Sequence, residues 1–309
     1  MKFSVVIPTY NEEQDIERTL DAVTALDYPD KEVIVVDDST DSTPEIVRRY
    51  ERRGARLIRP ERRGGRCEAR NRGILEVAGE IVVILNADVQ PPRDFLRRIL
   101  PYYQQGYDYV LVRSRITNTE SLYARYVEAM ATVDHEGDPS WMEWTEGFSC
   151  RRKVAIDAGL FPTGFPVPIC AGEDGYFGVG LRRIGARKKI DFDIVVPHIA
   201  PATLSEYWQI RKGRGRGCAQ VRIFLDRWPA WKVFAWAMLR VIKNLVMVVT
   251  LAPVTYVCWQ AACHSPKGVR DVLPFMWARL VEQLAFHAGE WSSLREIVRL
   301  GGSGSKVCW

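Results

Sequence analysis

The chain has no C-x-x-C pair, and its seven cysteines are odd in number and scattered. A zinc ribbon and a disulfide framework are therefore excluded, and the thiols read as reduced and intracellular. Charge of one sign is scarce: 43 basic residues against 38 acidic leave a net +5. That is too little to demand nucleic acid, although a local concentration of charge can still matter. The loop after the first strand-like run is Pro8-Thr-Tyr-Asn11, with no G-x-G-x-x-G, so the pyrophosphate cradle of an NAD-dependent Rossmann enzyme is missing. No Ser-His-Asp or Cys-His arrangement and no internal repeat is found. The chain opens directly on the strand-like run Phe3-Ser-Val-Val-Ile7, so no signal peptide is expected. What remains is an ordinary folded composition, 47% hydrophobic and 26% charged over 309 residues. This suffices for one large domain or two modest ones and is unlike a disordered or collagenous chain.

The first half alternates short β-branched runs with helical patterns. Strands are expected over 3–7, 33–36, 56–58, 81–85 and 109–112. Between them Ile16, Leu20, Val23 and Leu26 recur at helical spacing, as do Ile46 and Tyr50. The alternation predicts an α/β fold with βαβ units and a mostly parallel sheet flanked by helices. Ligands of such sheets bind outside the carboxyl ends of the strands, which points to residues 9–12, 37–41 and 86–92. From about 115 to 200 the pattern loosens into a helix-like stretch at 121–133, Trp141-Met-Glu-Trp144, a Gly- and Pro-rich region, and a helix from about 174 to 184.

Beyond residue 200 the character changes. Arg211-Lys-Gly-Arg-Gly-Arg216 is basic and glycine-broken, and residues 244–263 carry no charge. Twenty uncharged residues are long enough for a membrane span, but Pro253, two Thr, Asn244 and Gln260 dilute the run. The region 231–263 is therefore read either as membrane-embedded or membrane-lying, or as a buried core helix pair. Gly301-Gly-Ser-Gly-Ser305 resembles a flexible linker or cloning remnant. The expected division is 1–200 for the α/β domain, 201–300 for a basic loop and apolar helices, and 301–309 for the tail.

Two acidic clusters end strands. Asp37-Asp38 follows Val33-Ile-Val-Val36, and Asp88 follows the run from Ile81. A carboxylate there faces the ligand crevice and can accept hydrogen bonds from a base or ribose. Asn86-x-Asp88-x-Gln90 sets three oxygen-bearing side chains at alternate positions, which suits a hard divalent cation, Mn2+ or Mg2+, bridging phosphate oxygens. A solvated turn or helix cap is the plainer reading of either cluster alone. Glu173-Asp174 is similarly either a pair of caps at a helix start or the site of a general base.

Together these residues resemble the inverting family 2 glycosyltransferases, whose nucleotide-sugar-binding domain has the GT-A fold. The resemblance rests on Val5-Val-Ile-Pro8-Thr-Tyr-Asn11-Glu12, Val35-Val-Asp37-Asp38-Ser-Thr-Asp41, Ala69-Arg70-Asn71-x-Gly73, Asn86-Ala-Asp88-Val-Gln90-Pro91 and Gly172-Glu173-Asp174. It spans roughly residues 1–200, in order. Within the family the chain looks most similar to succinoglycan-biosynthesis-type enzymes and dolichyl-phosphate sugar synthases. The resemblance implies that Pro8, Tyr10 and Glu12 line the base and ribose and that Asp37 or Asp38 bonds the base. Arg66 and Arg70 would lie by the nucleotide or its phosphates. Asp88 would hold the metal, helped by Asn86, Gln90 and His198. Asp174 would be the base, with Glu173 positioning hydroxyls. One departure is Asn86, where the family usually has Asp; a neutral amide is the poorer ligand.

The implied reaction is transfer of a sugar from a UDP- or GDP-linked donor to a hydroxyl of a lipid-linked or glycan acceptor, with inversion. The expected location is the cytoplasmic face of the cell membrane, peripheral or integral. Arg211, Arg214 and Arg216 would contact the diphosphate or a lipid phosphate. Trp141 and Trp144 would either fill core or stack on a sugar ring. Alternatives are a polyprenyl-phosphate glycosyl synthase, whose acceptor phosphate needs no base, and a non-catalytic nucleotide-sugar module. Nucleic acid is not an expected partner.

Overall fold

The computed structural model describes residues 1–137, 140 and 143–301. Trp141 and the tail 302–309 lie outside the described residues. The chain divides into two compact units that share it in alternation. The first is drawn from the described residues of Met1–Arg115, Met142–Thr163 and Glu173–His198, and the second from those of the remaining stretches. The expected boundary near residue 200 is thus the last of several crossings, and residues 116–137 belong with the C-terminal helices.

The first unit is built on β1 (Phe3–Thr9), β2 (Lys31–Asp37), β3 (Ala55–Ile58), β4 (Ile81–Ile84), β5 (Tyr109–Ile116), β6 (Phe148–Arg151) and β7 (Lys188–His198), in the order β3-β2-β1-β4-β6-β5-β7. β1 pairs parallel with β2 and β4, and β2 with β3; Val6 lies opposite both Ile34 and Ile84. Helices α1 (Ile16–Thr24), α2 (Thr43–Arg49), α3 (Gly65–Glu76) and α4 (Phe95–Gln104) connect these strands. Cover on both faces explains why β4 reads Ile-Val-Val-Ile without alternation and is wholly buried. Each such buried side chain contributes about 1.5–3 kcal/mol. Gly73 of α3 lies against Val6 of β1, where a Cβ would collide with the valine methyls, so glycine sets how closely α3 meets the sheet.

The five expected strands are present, each within one or two residues at its start. β6 and β7 were not expected. β6 runs antiparallel to β4 and β5. It is four residues long with Ser149 and Arg151 on it, too short and mixed to show a period. α6 (Arg152–Asp157) and α7 (Glu173–Arg183) complete this unit.

The second unit is helical: α5 (Leu122–Glu136), α8 (Leu204–Gln220), α9 (Ala230–Thr250), α10 (Ala252–Cys263) and α11 (Val272–Gly301). Tyr126, Tyr207, Phe275 and Val281 form its core. Arg125 and Asp271 make a buried two-bond ion pair at 2.6 and 3.0 Å. The stretch expected to be a glycine-broken loop at 211–216 is instead continuous helix within α8. Its Gly215 and α11's Gly289 each face the other helix's backbone with no room for a Cβ. The glycines are there for close helix packing, which repays their poor propensity. The uncharged run 244–263 is not one helix: it breaks at Leu251, with φ 55°, and Pro253 opens α10. Among the described residues α9 alone is long and apolar enough to cross a membrane.

Candidate active site

The loops after β1 and β2 are laced together. Asn11 takes a left-handed conformation, φ 57°, tolerated because its short amide bonds locally. Its backbone N–H donates to Ser39 Oγ at 2.7 Å, and its Oδ1 accepts from Thr40 N at 2.9 Å. Glu12 N donates to Thr43 Oγ1 at 2.9 Å. Asp37 is buried, its Oδ1 accepting from Thr9 Oγ1 at 2.8 Å and Ser39 Oγ at 2.5 Å. Asp38 Oδ2 accepts from the backbone of Gly64 and Gly65 at 3.2 and 3.3 Å, so it caps the start of α3. Asp37 Oδ2 and Asp38 Oδ1 are buried without a hydrogen-bond partner. Asp37 Oδ2 has the Arg59 guanidinium at 3.6 Å, whereas an unbonded acceptor such as Asp38 Oδ1 is costly unless something else satisfies it. Pro8 lies near the end of β1 opposite Val36. Tyr10 is exposed, with the Arg63 guanidinium stacked 3.5 Å from its ring centre.

At the end of β4, residues 86–90 meet the end of β7. Gln90 N donates to Pro197 O at 3.0 Å, and Val89 bridges to His198. This places His198 Nε2 3.1 Å from Asp88 Oδ2, while its Nδ1 lies 3.3 Å from Ser114 Oγ. Asp88 Oδ1 is buried and unpartnered. An open carboxylate oxygen, an oriented imidazole and the neighbouring amides of Asn86 and Gln90 are a donor set that fits Mn2+ or Mg2+. Among the described residues no cluster of three or more His, Cys, Asp or Glu is present. A cation here therefore needs phosphate oxygens to complete its shell. Burial, and then the Asp88 charge, push the Glu12 carboxyl up to about 7.

Glu173 and Asp174 open α7. Glu173 is buried, with Arg70 Nη1 at 2.9 Å and Arg66 Nη1 at 3.4 Å from its Oε1. Burial opposes its ionisation, but the Arg70 and Arg66 guanidiniums prevail and hold it below the usual carboxylate range. Asp174 goes the other way: burial, and then the adjacent Glu173 charge, raise it to about 7. The two neighbours have opposite titration behaviour, the mark of a pair with divided roles. Asp174 also feels Glu146, whose Oε1 accepts from Asn86 Nδ2 at 3.4 Å. Glu12 feels the Asp88 charge and Asp174 that of Glu146, which bonds Asn86, while Glu173 pairs with Arg66 and Arg70, so these groups influence one another electrostatically. The sequence reading did not single out Glu146, Thr145 or the stacking of Arg63 on Tyr10.

The basic stretch has partners inside the second unit. Arg211 is buried against Glu282 at 3.2 Å and over the Tyr207 ring, and Arg216 pairs with Glu296 at 2.7 Å. Two of the three guanidiniums expected at a phosphate therefore pair with acidic groups of α11, and for the buried Arg211 such a partner is required. Arg214 is exposed. Trp144 Nε1 donates to Val112 O at 2.8 Å and its ring stacks on Phe192, a packing role within the first unit.

The seven-stranded, mostly parallel sheet flanked by helices has the GT-A fold. Residues 4–166 match the family described as Glycosyl transferase family 2, and the chain belongs to that family. It is an enzyme, a glycosyltransferase. It is 30% identical over 251 residues to Glycosyltransferase AglE of Haloferax volcanii, covering 76% of this chain and 78% of that one. It is 32% identical over 187 residues to a dolichol-phosphate mannosyltransferase of Pyrococcus furiosus, covering 54% of this chain and 51% of the relative, about half its length. Among solved structures it is similar to a Pyrobaculum calidifontis mannosyltransferase in complex with GDP-Man and Mn2+, with TM-score 0.55, 23% identity and coverage of 98% of this chain and 76% of that one.

Proposed function

We propose that this glycosyltransferase moves a sugar from a UDP- or GDP-linked donor to a hydroxyl of a lipid-linked or glycan acceptor, with inversion, at the cytoplasmic face of a membrane. The observation that carries the reading is the Glu173–Asp174 pair opening α7, with Glu173 buried against Arg70 and Arg66, together with the unpartnered Asp88 oxygen at the end of β4. Asp38 Oδ1 or Asp37 Oδ2 accepts a hydrogen bond from the base, Pro8 and Tyr10 line it, and Glu12 borders the ribose. Arg66 offers charge to the diphosphate. Asp88, His198, Asn86 and Gln90 would hold Mn2+ or Mg2+, which when bound neutralises charge on the departing nucleoside diphosphate. Asp174 takes the acceptor's proton as its oxygen bonds to the anomeric carbon, and the bond to the diphosphate breaks on the opposite face. One displacement inverts configuration without a covalent enzyme intermediate.

The membrane assignment is supported by the exposed apolar side chains of α9, among them Trp231, Leu239, Ile242 and Leu245. Near its start Lys232 lies 4.0 Å from the Trp228 ring centre, and Arg222 lies 5.3 Å from Trp228 and Trp236. Aromatics mixed with cations suit an anionic headgroup layer.

The likeness to a dolichol-phosphate mannosyltransferase favours one second reading, a polyprenyl-phosphate acceptor. Asp174→Asn separates the two. Loss of transfer by about a hundred- to ten-thousand-fold with donor binding retained supports the hydroxyl acceptor, and a nearly full rate supports the phosphate. Thermal stabilisation by a panel of nucleotide sugars with Mn2+ identifies the donor; no stabilisation by any of them defeats the proposal.

A further inference from the structure

Arg70 is 2% exposed and carries no solvent contact to spare. Its Nη1 donates to Glu173 Oε1 at 2.9 Å. Its Nη2 donates to Thr145 Oγ1 at 2.9 Å and to Asn86 Oδ1 at 3.4 Å, and its guanidinium lies over the Phe161 ring at 5.1 Å. One side chain of α3 thus joins the loop after β4, the approach to β6 and the first turn of α7. These contacts are what a bidentate, planar fork does well and an ammonium does not. They also occupy both terminal nitrogens, so the group is not disposed like a free phosphate clamp.

We infer that Arg70 is a positioning residue: by holding Glu173 fixed and charged at the start of α7, it sets the place and surroundings of the neighbouring base, Asp174. The residue at 86 makes this possible. A carboxylate there would compete for the guanidinium at hydrogen-bonding distance, whereas the neutral Asn86 amide accepts one bond and leaves the charge to Glu173. The departure from the family's usual Asp therefore has a structural counterpart in the Arg70–Glu173 pair. The charged groups facing Glu173 and Asp174 are Arg66 and Arg70 from α3 and Glu146 from the turn before β6.

The inference rests on Asp174 acting as base, and its test separates the two. Arg70→Met is expected to lower kcat about a hundredfold at saturating donor, the scale of a misplaced catalytic group. UDP and GDP dissociation constants by calorimetry should stay within about twofold, because the loss lies in the chemical step. Arg70→Lys should recover part of kcat, since an ammonium still pairs with Glu173 but does not reach all three partners. Glu173→Gln keeps the shape and removes the charge that raises Asp174, so the acid limb of the kcat profile should move below its wild-type midpoint. A rise in nucleotide dissociation constant with kcat intact in Arg70→Met would make Arg70 a phosphate contact and overturn the inference. So would an unmoved acid limb in Glu173→Gln, and if Arg70→Met does not fold, the same kcat and dissociation-constant readings on Arg70→Lys decide. Full activity of Asp174→Asn would instead remove the base itself.

Discussion

As the proposed base, Asp174 has to be ionised to accept a proton, and burial and then the Glu173 charge push its carboxyl up to about 7. Turnover should therefore fall as pH drops through about 7 and level off above it, whereas an ordinary carboxylate base would hold its rate down to about pH 4. A kcat profile in the presence of saturating donor checks this; a plateau extending to pH 5 would contradict it. The places of Asp38, Asp88 and Asp174 in the fold were legible in the sequence, two just after β-branched runs and one at a helix start. Glu146 was not. Thr145-Glu146-Gly147 has no period or spacing of its own, and it acquires meaning only through Arg70, 75 residues earlier in the chain. Arg211 was misjudged for the converse reason: its partner, Glu282, is supplied by a distant helix.

Elements with strong periodicity were readable, and those defined by partners were not. α1, α2 and β1 to β5 were read from apolar spacing, α3 and α4 were not singled out, and β6 and β7 exist because the sheet receives them. α8 shows how glycine misleads. Gly213 and Gly215 suggest a broken loop, yet the helix runs through them, and at Gly215 α11 approaches too closely for any Cβ. Gly215→Ala should lower stability by about 1–3 kcal/mol, since the added methyl meets the Phe286 carbonyl, which is backbone and does not swing aside. Gly213→Ala, with nothing near its Cβ, should be neutral or slightly stabilising through propensity. Thermal melts of the two variants test the contrast; equal effects would argue against tight α8–α11 packing.

For the molecule as a whole, the apolar exposure concentrated on α9 predicts partition onto lipid. Vesicles rich in anionic phospholipid should carry the protein in flotation. Replacing Trp231 and Leu239 with Ser should weaken binding at least about tenfold, given about 1.5–3 kcal/mol per buried side chain. Undiminished flotation of that double variant would mean that α9 does not meet the bilayer. The interleaving of the two units has a separate consequence, for synthesis on the ribosome. β6, which lies between β4 and β5, is not available until residue 151 emerges, and β7 with His198 only 47 residues later. The nascent N-terminal half must wait with its sheet unfinished while helix α5 is already out. Fragments ending before residue 198 should accordingly be degraded in cells rather than accumulate as a soluble catalytic core.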